Sequence, residues 1–566
     1  AHAGSPAPLW SRGLGDVYKR QLNWCLIFKS QKGELKVLDL LVRFKTMTIP
    51  VNKTLKQNFK WRVEKTPNNI AHKFLDRETS FKDLDSISNK VANGLIKEGC
   101  KKDARVAYLG KNSDYFFEVL IGTIKSATVA VGVNWRLAPP EVLYVLNDSK
   151  SEIVFVSEDF YPVIDQIKDD LDTVKKIIAI DDNHPTHDGY LTWRDSNSDA
   201  EIYIETDMND DVIQLYTSGT TGHPKGVQIT NGNFSGANDS VQDSVPFMEN
   251  ETNLVCMPGY HIAGTNWGIW GLLHGCRNLI IADVDPNLIL ELIETEKVRH
   301  TLFVPAVILF IITNPKAQET DFSSLDFVLY GASPIADDTI IKAKEIMDCD
   351  LYQVYGLTET TGAITIMLPN DHEPSRGKLR SCGKPLNGVE IKVVGESGEE
   401  LPLGEIGEVI TKSSLNMKGY WNRPDATKDA IQDQWFYSGD AGYFDEEGYL
   451  FIHDRVKDMI LSGGENIYPA EVENALMSNP DIIDAAVIGV PDEKWGESDK
   501  GFVVLKEGVE LSSDEIISYV KSQIAGYKCP RSIDFIELLP RNPSGKVLRR
   551  ELRAPFWEGK ERNVGG

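Results

Sequence analysis

The sequence predicts an α/β protein: a large N-terminal body of parallel α/β sheets with an antiparallel β subdomain, then a small α+β C-terminal domain. Three observations predict it. From about residue 50 to 330, helical patterns alternate with short β-branched runs, the rhythm of a parallel sheet with crossover helices. Between about 380 and 453 the chain turns to short strands separated by Gly-rich turns. After about 458 a smaller mixed pattern begins.

The elements follow in order. Residues 1–46 precede the first methionine, Met47, and open with "AHAGSPAPLWSRGLGDVYKRQ", which resembles sequencing-adapter read-through. They are read as a non-native or disordered leader and kept out of the fold. "KDLDSISNKVANGLIKEG" has apolar residues at helical spacing and ends on Gly99. "RVAYLG", "EIVFVS", "KKIIAI", "NLVCMP", "NLIIA" and "FVLYG" are predicted strands. "VILFII" at 307–312, closed by Thr313, Asn314 and Pro315, reads as a core segment. No apolar run approaches the ~18 residues of a membrane span.

"VEIKVV", "GEVITK", "AGYFD" and "YLFIHD" supply the antiparallel strands. "PAEVENALMSN" starts a helix with Pro469 in its first turn, "DAAVIGV" and "KGFVVLK" read as strands, and "SSDEIISYVKSQI" as a helix capped by Ser512 or Ser513. The expected division is a domain over 47–454, a hinge at 455–458, a small domain over 459–556 and a tail over 557–566.

Length and charge bound the function. The 566 residues suggest three or four domain-sized units, and 41% hydrophobic with 25% charged residues is an ordinary globular balance. With 60 basic against 84 acidic residues the net charge is -24, which argues against nucleic-acid partners. It also weighs against anionic lipid, leaving room only for peripheral membrane contact through a local basic patch. The seven cysteines include no CxxC pair, which indicates reduced thiols and a cytoplasmic protein. Monomer and homodimer both stay open.

"YTSGTTGHPKGV", residues 216–227, carries the first chemistry. It is not a Walker loop: Pro224 stands where the second glycine belongs, and Gly226, not a hydroxyl residue, follows Lys225. Leaving the strand "DVIQLY", Thr217, Ser218, Thr220 and Thr221 offer hydroxyls, while Gly219 and Gly222 let backbone N–H groups turn toward an anion. Lys225 adds a positive charge. A phosphate cradle and a polar surface turn are the two readings, and the downstream blocks decide between them.

Those blocks are "YGLTETTG" at 355–362, "YSGDAGYFDEEGYLFIHDRVKDMILSGGENIYP" at 437–469 and "PRNPSGKVLRREL" at 540–552. With the 216–227 loop, their order and spacing resemble the adenylate-forming superfamily, and within it the acyl-CoA synthetases (fatty-acid–CoA ligases), over about residues 50–556. The resemblance implies an AMP-binding N-terminal domain and a small, mobile C-terminal domain carrying the catalytic lysine. It implies a two-step ligase: a carboxylate joins the α-phosphate of ATP, pyrophosphate leaves, and the acyl group passes to coenzyme A, with Mg2+ present.

By the same resemblance, the 217–225 loop holds the β- and γ-phosphates, and Thr217 and Glu359 are similar in position to the Mg2+ ligands. Tyr355 is expected to stack on adenine and Thr358 to contact the α-phosphate, with Gly331, Gln353 and Gly356 also at the nucleotide. Asp440 is expected to accept both ribose hydroxyls, with Arg455 reaching the ribose or a phosphate. Lys546 is the expected catalytic residue, placed between the acyl carboxylate and the α-phosphate. Lys457 is the expected hinge pivot, exchanging the Lys546 loop for Gly463, Gly464 and Glu465 along a coenzyme A tunnel. Asn466 is a departure, because long-chain synthetases with an aromatic gate carry Trp there.

For the acid, the resemblance puts His261 at the pocket mouth, and "LYGASPI", with Gly331 and Ala332, opposite. Gly264, Gly268, Gly271 and Gly275 recur on one helical face flanked by Trp267 and Trp270. Such a face serves either close helix packing or an alkyl groove. The groove is the basis for placing Gly264 and Gly268 in the acyl pocket and for expecting a medium- or long-chain fatty acid. The alternatives are an aryl- or short-chain acid CoA ligase, an amino-acid adenylation module, an oxidative luciferase, or a non-catalytic nucleotide-binding homologue. An amino-acid module would carry an aspartate near "PGYHIAG", where none stands, and a non-catalytic homologue would have lost Lys546, Glu359 or Asp440.

Overall fold

The computed structural model describes residues 49–217, 224–333, 335–395, 397–455, 458–462, 465–492, 496–524, 526–541 and 547–558. The leader, residues 1–46, lies outside them.

Strands with continuous apolar runs take the centres of two large sheets. In Arg105–Leu109 and Val129–Val133 every residue is buried, as expected of parallel strands covered on both faces. They belong to an eight-stranded sheet that runs from Asp188–Gly189 at one edge, through Lys176–Ala179, Ser151–Val156, Arg105–Leu109 and Val129–Val133, to Asp211–Thr217, Lys225–Thr230 and Gly419–Tyr420. Its centre is parallel, and the last two strands join antiparallel. The nine-stranded sheet has Thr252–Val255, Val298–Phe303, Phe327–Gly331 and Asp350–Leu357 at its parallel centre, and Gly362–Met367 turns back antiparallel beside the last. One contiguous apolar core takes side chains from both sheets, among them Ile213, Leu215, Leu254, Phe303 and Val328.

The helices start and stop where the sequence marks them. Ser80 caps Phe81–Lys97, accepting from the Asp83 N–H, and Gly99 takes φ +88° just beyond the helix. Helix Pro305–Thr313 bears out the core reading of "VILFII" on one face only. Val307, Ile308, Ile311 and Ile312 are buried, but Leu309 and Phe310 point outward, 41% and 54% exposed. A helical period cannot bury six consecutive residues against one layer.

The antiparallel unit is a separate five-stranded sheet containing Glu390–Val394, Gly407–Lys412, Trp435–Phe444 and Leu450–Arg455. The last part forms its own five-stranded sheet, covered by helices Pro469–Met477 and Ser513–Lys521, with Ser512 and Glu515 making a capping box. Among the described residues no helix is long and apolar enough to cross a membrane, and the six described cysteines form no disulfide.

Candidate active site

Three sheets bring their ends together. The strand Asp211–Thr217 and its antiparallel neighbour Lys225–Thr230 place Thr217 directly opposite Lys225, so the loop between them leaves and re-enters the sheet at one point. Ser218, Gly219, Thr220, Thr221 and Gly222 lie outside the described residues. The nine-stranded sheet contributes the end of Asp350–Leu357 and the turn Thr358–Thr360, and the five-stranded sheet contributes Asp440.

Glu359 is where the first two meet. Its Oε1 accepts from Thr217 Oγ1 at 3.2 Å and from the Tyr420 hydroxyl at 3.0 Å, and the residue is only 9% exposed. Tyr420 also presents its ring face to the Lys225 ammonium, 4.6 Å from the centroid. It therefore joins the cation and the carboxylate through one rigid side chain. The turn that holds Glu359 is fixed from several directions. Asn266 Nδ2 donates to the Thr361 carbonyl at 2.8 Å, Thr361 Oγ1 donates to the Leu415 carbonyl at 2.7 Å, and Met417 N–H donates to the Glu359 carbonyl at 2.7 Å. The donors converging here are all oxygens, a set that fits Mg2+ and not a soft metal.

Asp440 is buried and its Oδ2 accepts from the Tyr355 hydroxyl at 2.7 Å. Burial and that carboxylate push the Tyr355 phenol well above its ordinary range, so it stays a donor. Gln353 shares the strand face of Tyr355, two residues away, and its buried Oε1 has no hydrogen-bond partner. Thr358 is buried beside Glu359. Gly356 must be glycine, since a Cβ there would stand 1.7 Å from the Gly362 carbonyl oxygen. Gly331 ends its strand against Val354, and Ala332 follows with φ +71°, left-handed backbone that a non-glycine residue adopts only under constraint. The register puts Arg455 opposite Asp440.

A second network grips the loop from behind. Asp148 Oδ2 accepts from the Tyr216 hydroxyl at 2.8 Å, and its Oδ1 accepts from Arg423 Nη2 at 2.6 Å. The neighbouring Tyr144 hydroxyl donates to the Pro224 carbonyl at 3.0 Å. Both ends of the loop are thereby tied to one helix, Pro139–Ser149. Sequence reasoning missed Tyr420, Asn266 and Asp148. None lies in a recognisable block, and only long-range pairing brings them in.

His261 caps helix Ile262–His274, its Nδ1 accepting from the Ala263 N–H at 3.3 Å, and burial lowers its pKa so that the ring is neutral. The glycine face beyond it is corrected. A Cβ on Gly268 would stand 2.3 Å from the Phe117 ring, one on Gly264 2.2 Å from the Pro258 carbonyl oxygen, and one on Gly271 2.1 Å from Asn278 Oδ1. Gly275 is the left-handed cap at φ +79°. The face is filled by protein, so Gly264 and Gly268 serve close packing and line no alkyl groove.

In the small domain, Arg541 and Val547 pair as an isolated antiparallel bridge, and the residues between them, Lys546 included, lie outside the described residues. So do Lys457, Gly463 and Gly464. Ser462 and Glu465 stand directly opposed in a two-stranded ladder.

This geometry is matched by known proteins. Residues 59–421 match the AMP-binding enzyme family and residues 471–546 the AMP-binding enzyme C-terminal domain. The chain is 36% identical over 521 residues to a fatty acid–[acyl-carrier-protein] ligase, ScoC, of Streptomyces coeruleorubidus, covering 91% of this chain and 99% of that one. It is 34% identical over 498 residues to a feruloyl-CoA synthase of an Amycolatopsis species, covering 88% and 97%. The solved Mycobacterium tuberculosis fatty acyl CoA synthetase superposes with a TM-score of 0.73 at 33% identity, covering 90% and 99%. Nearly the whole length of these acid-activating proteins is thus reproduced together with both family domains, and the chain belongs to the AMP-binding enzyme family, the adenylate-forming superfamily of acyl-CoA synthetases.

Proposed function

We propose that this chain activates a fatty acid as its acyl-adenylate, releases pyrophosphate, and transfers the acyl group to the thiol of coenzyme A. The coarser activity comes with the family: an acyl- or aryl-CoA ligase that uses ATP and coenzyme A with Mg2+. The observation that supports the residue assignments is that Thr217 and Tyr420 both donate to Glu359 while the Lys225 ammonium lies over the Tyr420 ring. A buried carboxylate beside a hydroxyl and a loop cation is the arrangement needed to receive a metal-bound polyphosphate tail.

In this reading the 217–225 loop, from Thr217 through Ser218, Gly219, Thr220, Thr221 and Gly222 to Lys225, binds the β- and γ-phosphates. Glu359 and Thr217 hold Mg2+, which when bound neutralises phosphate charge. Thr358 and the Gly331 and Gly356 backbone border the α-phosphate and base, and Gln353 offers its unpartnered oxygen to a donor on the base. Tyr355, fixed through its hydroxyl, stacks on adenine, while Asp440 Oδ1 and the Arg455 strand face the ribose. Lys546 approaches the α-phosphate as the carboxylate attacks, and the small domain then turns about Lys457 so that Gly463, Gly464 and Glu465 border the thiol's approach. His261 and Ala332 flank the acid.

The fatty acid itself is favoured by the ligase of Streptomyces coeruleorubidus and the M. tuberculosis synthetase, while the feruloyl-CoA synthase keeps an aromatic acid as the rival. The first of these also favours a second acceptor, the phosphopantetheine thiol of a carrier protein.

The test incubates the chain with ATP, Mg2+, coenzyme A or a phosphopantetheinylated carrier protein, and acids from acetate to palmitate plus ferulate. Pyrophosphate and thioester are then quantified. Lys546→Ala is expected to cut adenylate formation by ~10²–10³ and to spare thioester formation from supplied acyl-AMP. Equal loss of both steps would remove Lys546 from the first. Ferulate outrunning every aliphatic acid would replace the fatty acid.

A further inference from the structure

We propose that Asp165, His184 and His187 form a binding site for one borderline divalent cation of the zinc class, remote from the nucleotide site. It stands at the edge of the eight-stranded sheet opposite Thr217, in the loop between Lys176–Ala179 and Asp188–Gly189. One ligand atom from each residue lies within 4.8 Å of the other two, and among the described residues no other trio of His, Cys, Asp or Glu converges in this way.

The local geometry singles out which atoms are free. The His184 side chain is only 4% exposed; its ring stacks on His187 with centroids 4.3 Å apart and meets Tyr161 edge-on at 4.7 Å. His184 Nε2 lies 3.3 Å from Asp165 Oδ2, while the other carboxylate oxygen, Oδ1, is held by Lys168 at 3.0 Å. A shared proton accounts for the His184–Asp165 contact. It does not account for His187, whose Nε2 is shut off from solvent and has no hydrogen-bond partner. A buried ring nitrogen with nothing to bond is costly, and a ligand that the three residues share removes the cost.

Two imidazole nitrogens and one carboxylate oxygen are the donor set of a zinc site with one position open to water, whereas Mg2+ and Ca2+ take oxygen ligands. With bonds of about 2.0–2.2 Å, tetrahedral ligand atoms lie roughly 3.4 Å apart, so the loop has to close by about 1 Å on binding. Residues 181–183, 185 and 186 are exposed, which leaves it room to do so. The cation takes the place of the proton between His184 Nε2 and Asp165. That proton moves to Nδ1, so the closing loop must also turn aside the Thr186 N–H that donates there at 3.2 Å and leave Thr186 Oγ1, at 3.3 Å, to accept it, the outer partner that ligating histidines need. Bound there, the cation staples this loop to helix Tyr161–Ile167.

The full chain, stripped of metal, is titrated with Zn2+ in competition with a chromophoric chelator, alongside His187→Ala and Asp165→Asn, with far-UV circular dichroism as the check on folding. Expected are one tight equivalent in the wild type, at least tenfold weaker binding of that equivalent in each variant, and unchanged Mg2+-dependent adenylate formation in both. Excess Mg2+ should not displace the zinc. Absence of the equivalent in the wild type, or its retention in both folded variants, overturns the proposal.

Discussion

Gly268→Ala separates packing from substrate binding in helix Ile262–His274. The added methyl would stand 2.3 Å from Phe117 Cζ and 2.4 Å from Cε1. Ordinary carbon contact is about 3.5–4.0 Å, so the ring must retreat by roughly 1 Å or more. It has little space, because Phe117 is fully buried with Phe116 edge-on at 5.2 Å and the His72 ring at 4.9 Å. Overpacking of this kind costs about 1–3 kcal/mol, and replacing a helical glycine by alanine returns about 1 kcal/mol. The net expectation is a loss of up to about 2 kcal/mol, read as a lowered urea midpoint at unchanged slope. Adding Phe117→Leu should couple favourably with Gly268→Ala, so that the double variant loses less than the sum of the two singles. Activity across acids of increasing chain length should keep the wild-type order. A shift toward shorter acids at unchanged stability would refute the packing account and put the alkyl chain against Gly268.

Tyr420→Phe removes a hydrogen bond to a buried carboxylate and should lower ATP–pyrophosphate exchange about tenfold, with a raised Mg2+ requirement; an unchanged Mg2+ dependence would remove Tyr420 from the metal's surroundings. Asp148→Asn loosens the Tyr216 end of the 217–225 loop and its tie to Arg423, and should raise KM for ATP about tenfold while KM for the acid stays put; equal effects on both would mean general damage. Stability should fall in mild acid. His72 and His300 have pKa values lowered to about 3, and His274 and His372 to about 4, so between pH 5 and 6 the unfolded chain takes up about four protons that the native state refuses. Glu118 and Asp499, raised to about 7, hold about two protons that the unfolded chain has lost. The difference, about two protons, makes stability drop by about 3 kcal/mol per pH unit as pH falls through that window. Denaturant midpoints that are flat or rising from pH 6 to 5 would contradict it.

The fold class was legible because each element carries its own signal. "RVAYLG" is a continuous apolar run and became a strand buried on both faces. Ser512 capped its helix through local chemistry, and the Gly-rich turns after 380 delimited an antiparallel sheet. "VILFII" was legible as core but not as one-sided, because a run of six apolar residues shows how hydrophobic a segment is and not how it is covered. As a helix, that run sends Leu309 and Phe310 outward. Around Glu359 the same division holds. Thr217, Lys225, Glu359 and Asp440 sit in contiguous blocks whose spacing is visible in the chain. Tyr420, Asn266 and Asp148 reach the same turn and loop from strands and helices 61 to 95 residues away, so no local pattern marks them.

The glycines of helix Ile262–His274 show where periodicity stops informing. A repeat of four, three and four residues establishes that the glycines share a face, and that a neighbour approaches it closely. Whether the neighbour is a ligand or the protein depends on what the opposite elements deliver. Here Phe117 arrives from helix Asp114–Ser126, Asn253 and Asn278 from adjacent strands, and the Met257 and Pro258 carbonyls from the loop before the helix. Asn278 Nδ2 even donates to the Gly268 carbonyl at 2.8 Å, using the backbone that a side chain would have covered. The consequence for specificity is direct. In the proposed reading the acid is selected instead at His261, the cap of this helix, and at the left-handed Ala332. Substitutions there, and not along the glycine face, are the ones that should reorder the preference among acids.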